Sequence, residues 1–356
     1  MILKIKIGLK VLKPPCLLLI ITIKYKGVIN MNMKKIGLTA LAASLVSVSA
    51  NAGSMSVSGG ASMNVTGHTG EGRDVGTSFS MGNQLTFTGS GELDNGLNVS
   101  LSFVLDQGDD TAIANAPFDS HSVTISSDAM GSLTLAGEGG TTATGNIAKT
   151  AAGNLWDAFD GLGTLNTVSF ATDLLTTVSA GANGFMYTSP ELTDGLTLVG
   201  SYVPKASSRE SGTGYGVNYT GFDGLTVNYA SQDIVGTTTA LSGDHDVLKV
   251  SYVYGSFTGT VSNSDYSTGT AASNSEASSY AVSYSVSDEL SLTYGSETFE
   301  SGTAGDQDAD ITGISFAYTA GGMTLSGSMK DGENLSYGTG TVEDREQWTL
   351  GASFAF

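Results

Sequence analysis

Four stretches of this chain hold residue types able to do chemistry. Asp119, Ser120 and His121 supply the side chains of a nucleophilic triad. Neighbours on a strand point to opposite faces, so these three cannot form one by themselves. The chain has no G-x-S-x-G elbow to present a serine either. Asp244, His245 and Asp246 are potential metal ligands that stand alone. Asp306, Asp308 and Asp310 alternate as at the start of a calcium loop, but lack the following glycine and distal glutamate of an EF-hand. They read first as an acidic external loop, with calcium as a weak candidate ligand and no other cofactor expected. The fourth stretch is 139–183, which contains Trp156, Asp157, Phe159, Asp160 and Asp173, a single base, Lys149, and Glu138 at its root. A connection of that length without structure of its own is improbable unless it is functional.

The elements that must position these groups are strands. In the last eleven residues, Trp348, Leu350, Ala352, Phe354 and Phe356 share one parity, and Gln347, Thr349, Gly351 and Ser353 the other. A strand turns that alternation into one apolar face and one small polar face. The pattern recurs near 54–67, 77–91, 96–106, 118–127, 131–138, 183–190, 195–205, 213–220, 224–233, 246–254, 256–264, 278–286, 289–299, 311–319, 322–330 and 345–356, sixteen segments in all. Short connections with Asn-Gly, Asp-Gly or Gly-Gly chemistry, such as Asp94-Asn95-Gly96 and Thr193-Asp194-Gly195, mark tight hairpins. Long polar connections alternate with them. Short turns on one rim and long loops on the other belong to an up-and-down barrel in an outer membrane. In hydrocarbon every backbone polar group needs an internal partner, so the first strand must pair with the last. The expected fold is therefore all-β: a sixteen-stranded antiparallel up-and-down transmembrane β-barrel. A barrel of that size is too wide for side chains to fill and leaves an aqueous channel. Lys205, Lys249, Lys330 and Arg345 share parity with the inward polar residues and are candidates for the pore wall; the alternative is a rim position against loop acids.

Composition narrows the function classes. Residues 33–52 read as a cleaved secretory signal: Lys34 and Lys35, a short apolar run over 38–48, and the small-residue site Ala50-Asn51-Ala52. Residues 1–32 carry seven isoleucines and six lysines and read as an upstream extension or mis-assigned start, with Met31 or Met33 as the true start. The chain's only cysteine, Cys16, lies there, so no disulfide framework is expected beyond it. From Gly53 onward seven basic residues face 34 acids, a formal charge of −27. Nucleic-acid binding needs clustered Lys and Arg and is disfavoured. No apolar run in that region exceeds three residues, which excludes membrane-spanning helices and the continuous apolar strands of a parallel sheet.

With these features the chain from Gly53 resembles the general, non-specific porins of Gram-negative outer membranes, particularly the alphaproteobacterial type. The resemblance rests on the signal, the sixteen alternating segments, terminal Phe356 with Phe354, and the outsized connection after the fifth strand. It also rests on Phe185-Met186-Tyr187-Thr188-Ser189-Pro190 followed by Asp194-Gly195-Leu196-Thr197-Leu198, similar to a strand and hairpin of that family. It implies passive diffusion of small hydrophilic solutes and ions, a homotrimer, and contact with outer-membrane lipid and lipopolysaccharide. The terminal aromatics Phe354 and Phe356 would be read by the barrel assembly machinery. It further implies that 139–182, which holds Trp156, folds inward as a constriction loop, where the carboxylates of Asp157, Asp160 and Asp173, with Glu138 at its root, form a cation-attracting ring. Strands one to five carry no Lys or Arg, which departs from the family's usual basic cluster there. Cation preference is the expectation. The alternative is a secreted acidic β-solenoid adhesin, which demands a fixed repeat period; the segment lengths here vary. A barrel enzyme is a more distant third.

Overall fold

The computed structural model describes residues 53–70, 76–106, 120–147, 150–159, 183–204, 211–236, 242–335, 337 and 344–356. They lie in one compact unit, Gly53–Phe356. The expected extension and signal over 1–52 lie outside the described residues, as do Asp119, Lys149, Asp160, Asp173 and Lys205.

Sixteen strands follow one another: β1 Ser54–Gly70, β2 Gly76–Glu92, β3 Asn98–Asp106, β4 Ser120–Ser127, β5 Gly131–Glu138, β6 Gly184–Thr188, β7 Leu196–Val203 and β8 Ser211–Phe222. Then come β9 Leu225–Val235, β10 Gly243–Tyr254, β11 Phe257–Thr268, β12 Ser275–Ser285, β13 Leu290–Ser301, β14 Ala309–Ala320, β15 Met323–Glu333 and β16 Arg345–Ala355. Each pairs antiparallel with its sequence neighbours, and β1 pairs with β16 to close the barrel. The closing register runs from Gly60 opposite Ala355 to Gly70 opposite Arg345. Phe356 extends it, exchanging two backbone hydrogen bonds with Gly59 at 2.7 and 3.0 Å. This closed antiparallel meander excludes the β-solenoid, whose strands would stack coil on coil.

The alternation dictates the two faces. Leu248, Val261, Tyr280, Tyr294, Ile314 and Leu350 point outward and remain exposed. A continuous exposed apolar surface marks contact with lipid or protein, and around a closed barrel it is the lipid-facing band. The opposite parity carries hydroxyls that pair across strands, as in Thr124 with Thr134 and Ser283 with Thr293, both at 2.8 Å. Tight turns carry glycines of positive φ, such as Gly195 (70°) and Gly224 (73°), a conformation that costs glycine little.

Several strands on the far side of the barrel run past the ends expected from apolar alternation. β11, for example, continues to Thr268 and β13 to Ser301. Their outward residues there turn acidic: Asp246, Asp265, Glu276 and Glu300 lie opposite one another on β10 to β13. A strand that rises out of the apolar layer keeps its hydrogen-bond ladder but loses the apolar signal.

Candidate functional site

Beyond β5 the chain turns into the barrel and lies along the inner wall. Among the described residues two short segments make the contact. In the first, residues 142–147 form a turn closed by Asn146 N–H to Thr142 C=O at 2.9 Å. Ala143 N–H donates to Ser201 Oγ of β7 at 2.9 Å, and Thr144 Oγ1 donates to Gln232 Oε1 of β9 at 2.6 Å. Ala143 and Ile147 pack on Val199, Ala230, Val247 and Met186.

The second segment, 150–159, contains a 3-10 turn at Leu155–Ala158. Leu155, Trp156 and Phe159 enter an apolar cluster with Ile234, Tyr266, Phe299, Ile311 and Leu335. Its backbone is hydrogen-bonded to the wall at four strands, and a fifth approaches its side chains closely. Ala151 N–H donates to Ser279 Oγ of β12 at 2.8 Å, Lys249 Nζ of β10 to the Thr150 carbonyl at 3.1 Å, and Gln347 Nε2 of β16 to the Ala158 carbonyl at 2.7 Å. Glu297 of β13 accepts from Thr150 Oγ1, from Leu155 N–H at 2.7 Å and from Trp156 N–H at 3.1 Å. Gly313 of β14 faces Leu155 so closely that a Cβ there would lie 2.9 Å from Leu155 Cδ2.

The wall is shaped for this approach. Inward positions under the loop are glycines: Gly214 against Ala143, Gly295 against Ala152, Gly313 against Leu155 and Gly332 against Phe159. At Gly214 a Cβ would sit 2.7 Å from Ser201 Oγ and 3.1 Å from Ala143 Cβ. Small residues let another backbone lie close to the sheet. These loop contacts fall on β6 to β16. The inward parity of β1 to β5 is lined by hydroxyls such as Thr66, Thr124 and Thr134.

The candidate site residues fall into different places. Asp157 is exposed, between buried Trp156 and half-buried Ala158. Trp156 does not line the bore: it is 7% exposed and serves as an apolar anchor, because its ring fills the cluster that the inward Phe299 and Ile311 create. Glu138 ends β5 opposite His121, past a register shift that breaks the alternation. Lys249 and Lys330 are on the inward parity, as expected, but at the loop's seat. Lys249 holds a loop carbonyl, and Lys330 lies within electrostatic reach of Asp157 and Glu297. Arg345 stands half-buried at the outer end of β16. Phe354 and Phe356 are exposed on the outward face.

The other acidic groups are not brought together. Asp310 lies on β14 and accepts from Thr298 Oγ1 at 2.6 Å, while Asp308 receives Asn334 Nδ2 through its backbone carbonyl at 3.2 Å. Among the described residues no three of His, Cys, Asp and Glu form a group able to hold a metal, and Asp306, Asp308 and Asp310 are not gathered into one. His245 is buried inward with Nε2 at 2.8 Å from Ser264 Oγ, whereas Asp246 faces outward and accepts from Tyr229 Oη at 2.8 Å.

Sequence reasoning missed Glu297, Gln347, Gln232 and Ser279. A signal was present: inward Val199, Ile234, Val247, Phe299 and Ile311 break the polar-inside rule of a water-filled barrel. Such residues need a cover, and only the long connection could supply it.

A family model described as Gram-negative porin matches residues 37–356. Among solved structures, a loop-L8 deletion mutant of OmpT, an outer membrane protein of Vibrio cholerae, superposes with a TM-score of 0.62 at 17% identity, covering 86% of this chain and 100% of that one. A double mutant of Rh. blastica porin superposes with a TM-score of 0.57 at 18% identity, covering 85% of this chain and 100% of that one. At such identities the likeness is one of fold. No curated protein matches the chain.

Proposed function

Since the chain belongs to the Gram-negative porin family, we propose that this outer-membrane channel passes small hydrophilic solutes by passive diffusion and prefers cations. One observation carries the ion preference. Asp157 of the docked loop is exposed, and in this reading its carboxylate faces the bore, while Lys249 is drawn under the loop by the Thr150 carbonyl. A carboxylate at a constriction attracts cations and repels anions. The facing strands β1 to β5 carry no Lys or Arg to oppose it. The excess of acids beyond Gly53 acts in the same sense at the mouth. Reversal potentials in a planar bilayer under a KCl gradient test this directly, and a potential of the sign that favours chloride refutes it.

The assembly is a homotrimer in this reading. Outward tyrosines stand on β6 to β10 and β12 to β14, among them Tyr187, Tyr215, Tyr252, Tyr284 and Tyr318, and none on β15, β16 or β1 to β5. Tyrosine gathers where a barrel meets the membrane interface. The tyrosine-free arc, with Met55, Val57, Met63, Phe79 and Met81, suits contact with other copies of the chain instead. Export begins with cleavage after Ala52, the lipid face meets outer-membrane lipid and lipopolysaccharide, and Phe354 and Phe356 serve the assembly machinery. Gel mobility before and after boiling, with mass spectrometry of the mature start, checks the oligomer and the processing site.

A further inference from the structure

We infer that His245 is a proton switch set beneath the inserted loop, such that protonating its imidazole in acid releases the loop from the wall at β9 to β11. The inference rests on the channel reading above and adds a control to it. His245 takes an inward position on the outer part of β10, beside outward Asp246 and beyond the apolar band. An inward side chain in a water-filled barrel meets water unless something covers it. His245 is only 3% exposed. Its neighbours across the ladder are Gln232 on β9 and Tyr266 on β11. Both are held under the loop. Gln232 accepts from Thr144 Oγ1 at 2.6 Å, and Tyr266 shares the apolar cluster of Leu155 and Trp156. Nε2 of His245 lies 2.8 Å from Ser264 Oγ, and its ring meets Tyr266 edge to face, with centroids 6.4 Å apart. The imidazole therefore belongs to the floor under both docked segments.

That floor is suited to a neutral ring. Among the described residues, His245 faces Gln232 and Ile234 from β9, and Ser264 and Tyr266 from β11. On β10 itself the inward charge is Lys249, four residues along. The carboxylates of Asp233, Asp244, Asp246 and Asp265 belong to the outward parity. Burial lowers the His245 pKa from 6.5 to about 4, against a smaller upward pull from Asp246. A ring opened to bore water returns to the ordinary value of about 6.5. The released form therefore binds the proton more readily than the docked form. Docking weakens as pH falls below about 6.5, and the effect is complete below about 4. By this linkage the docked-to-released ratio falls about twentyfold between pH 7 and pH 5. Glu297 and Lys330 also titrate within the seat, so variants at His245 carry the assignment.

The test uses the full chain, recorded channel by channel in planar bilayers and titrated by NMR in detergent with its three histidines labelled. One imidazole should titrate near pH 4, and its signal should vanish in His245→Gln. The wild-type channel is expected to raise its relative time at a second conductance level about twentyfold from pH 7 to pH 5. His245→Gln keeps a hydrogen-bonding group for Ser264 but takes no proton, and should lose that response. A cysteine pair placed by Ala143→Cys and Ser201→Cys, neighbours joined by a 2.9 Å hydrogen bond, should abolish the response when oxidised and restore it when reduced. Three imidazoles all titrating near 6.5, a conducting wild type without the acid response, or a response that survives in His245→Gln each overturns the switch while leaving the channel intact. A wild-type barrel that passes no ions overturns the channel reading instead, and the NMR titration still reads the histidine. If His245→Gln does not assemble, the cysteine pair decides: an acid response that persists after oxidation overturns the proposal.

Discussion

Asp157 and Lys330 lie within electrostatic reach of each other with opposite charge, and their burial decides which dominates. Asp157 is exposed, whereas Lys330 is half-buried beside Glu297. Asp157→Asn should therefore move the reversal potential under a KCl gradient toward zero. It should leave thermal stability within about 0.5 kcal/mol, as for an exposed side chain. Lys330→Met should move the potential the other way. The wild-type preference should also shrink between 0.1 and 1 M salt, as the screening length falls from about 10 Å to about 3 Å. The types of these two residues were legible in the sequence. Their unequal exposure was not, because burial depends on where the loop lies.

At the scale of elements, the loop and its seat depend on each other. Gly295 lets Ala152 lie directly on β13. Gly295→Val should push the loop segment off the wall, raising single-channel conductance while the barrel stays closed. Gly259 of β11 has open space around its missing Cβ and is the matching control, expected to conduct as wild type. On the outer face, Leu248 lies midway along β10 and is 44% exposed. Leu248→Arg should cost about 2–4 kcal/mol when the barrel is unfolded from vesicles with urea, the penalty for a charge at mid-bilayer. The sixteen strands were legible because apolar and polar residues alternate along them. Their outer ends were not, since outward Asp265, Glu276 and Glu300 erase the alternation while the backbone ladder continues.

For the whole molecule, closure is the deciding event. Gly59 and Phe356 exchange backbone hydrogen bonds, and the Phe356 ring lies over Gly59, where a Cβ would come within 2.5 Å of it. Deleting Phe356 removes both bonds and the aromatic cover at the seam between β16 and β1. The fraction of boiling-sensitive barrel recovered from membranes should fall, with a larger fall if Phe354 is removed as well. An unchanged yield would mean that the seam is held by β1 and β16 alone.

The sequence by itself determined the strands, their number, their lipid and water faces, and the need to close, because a period-two pattern and the prohibition on open edges in hydrocarbon are local and general facts. It also indicated that the connection after β5 carries function, since its length demanded a purpose. Only the tertiary structure decided what that connection does to the bore. Glu297, Gln347, Ser279 and Gln232 are distant in sequence and ordinary in type, and they become a seat only when curvature brings eleven strands, β6 to β16, around one inserted segment. Trp156 became an anchor and Asp157 an exposed charge for the same reason: a single turn docked on a concave wall buries one neighbour and exposes the next.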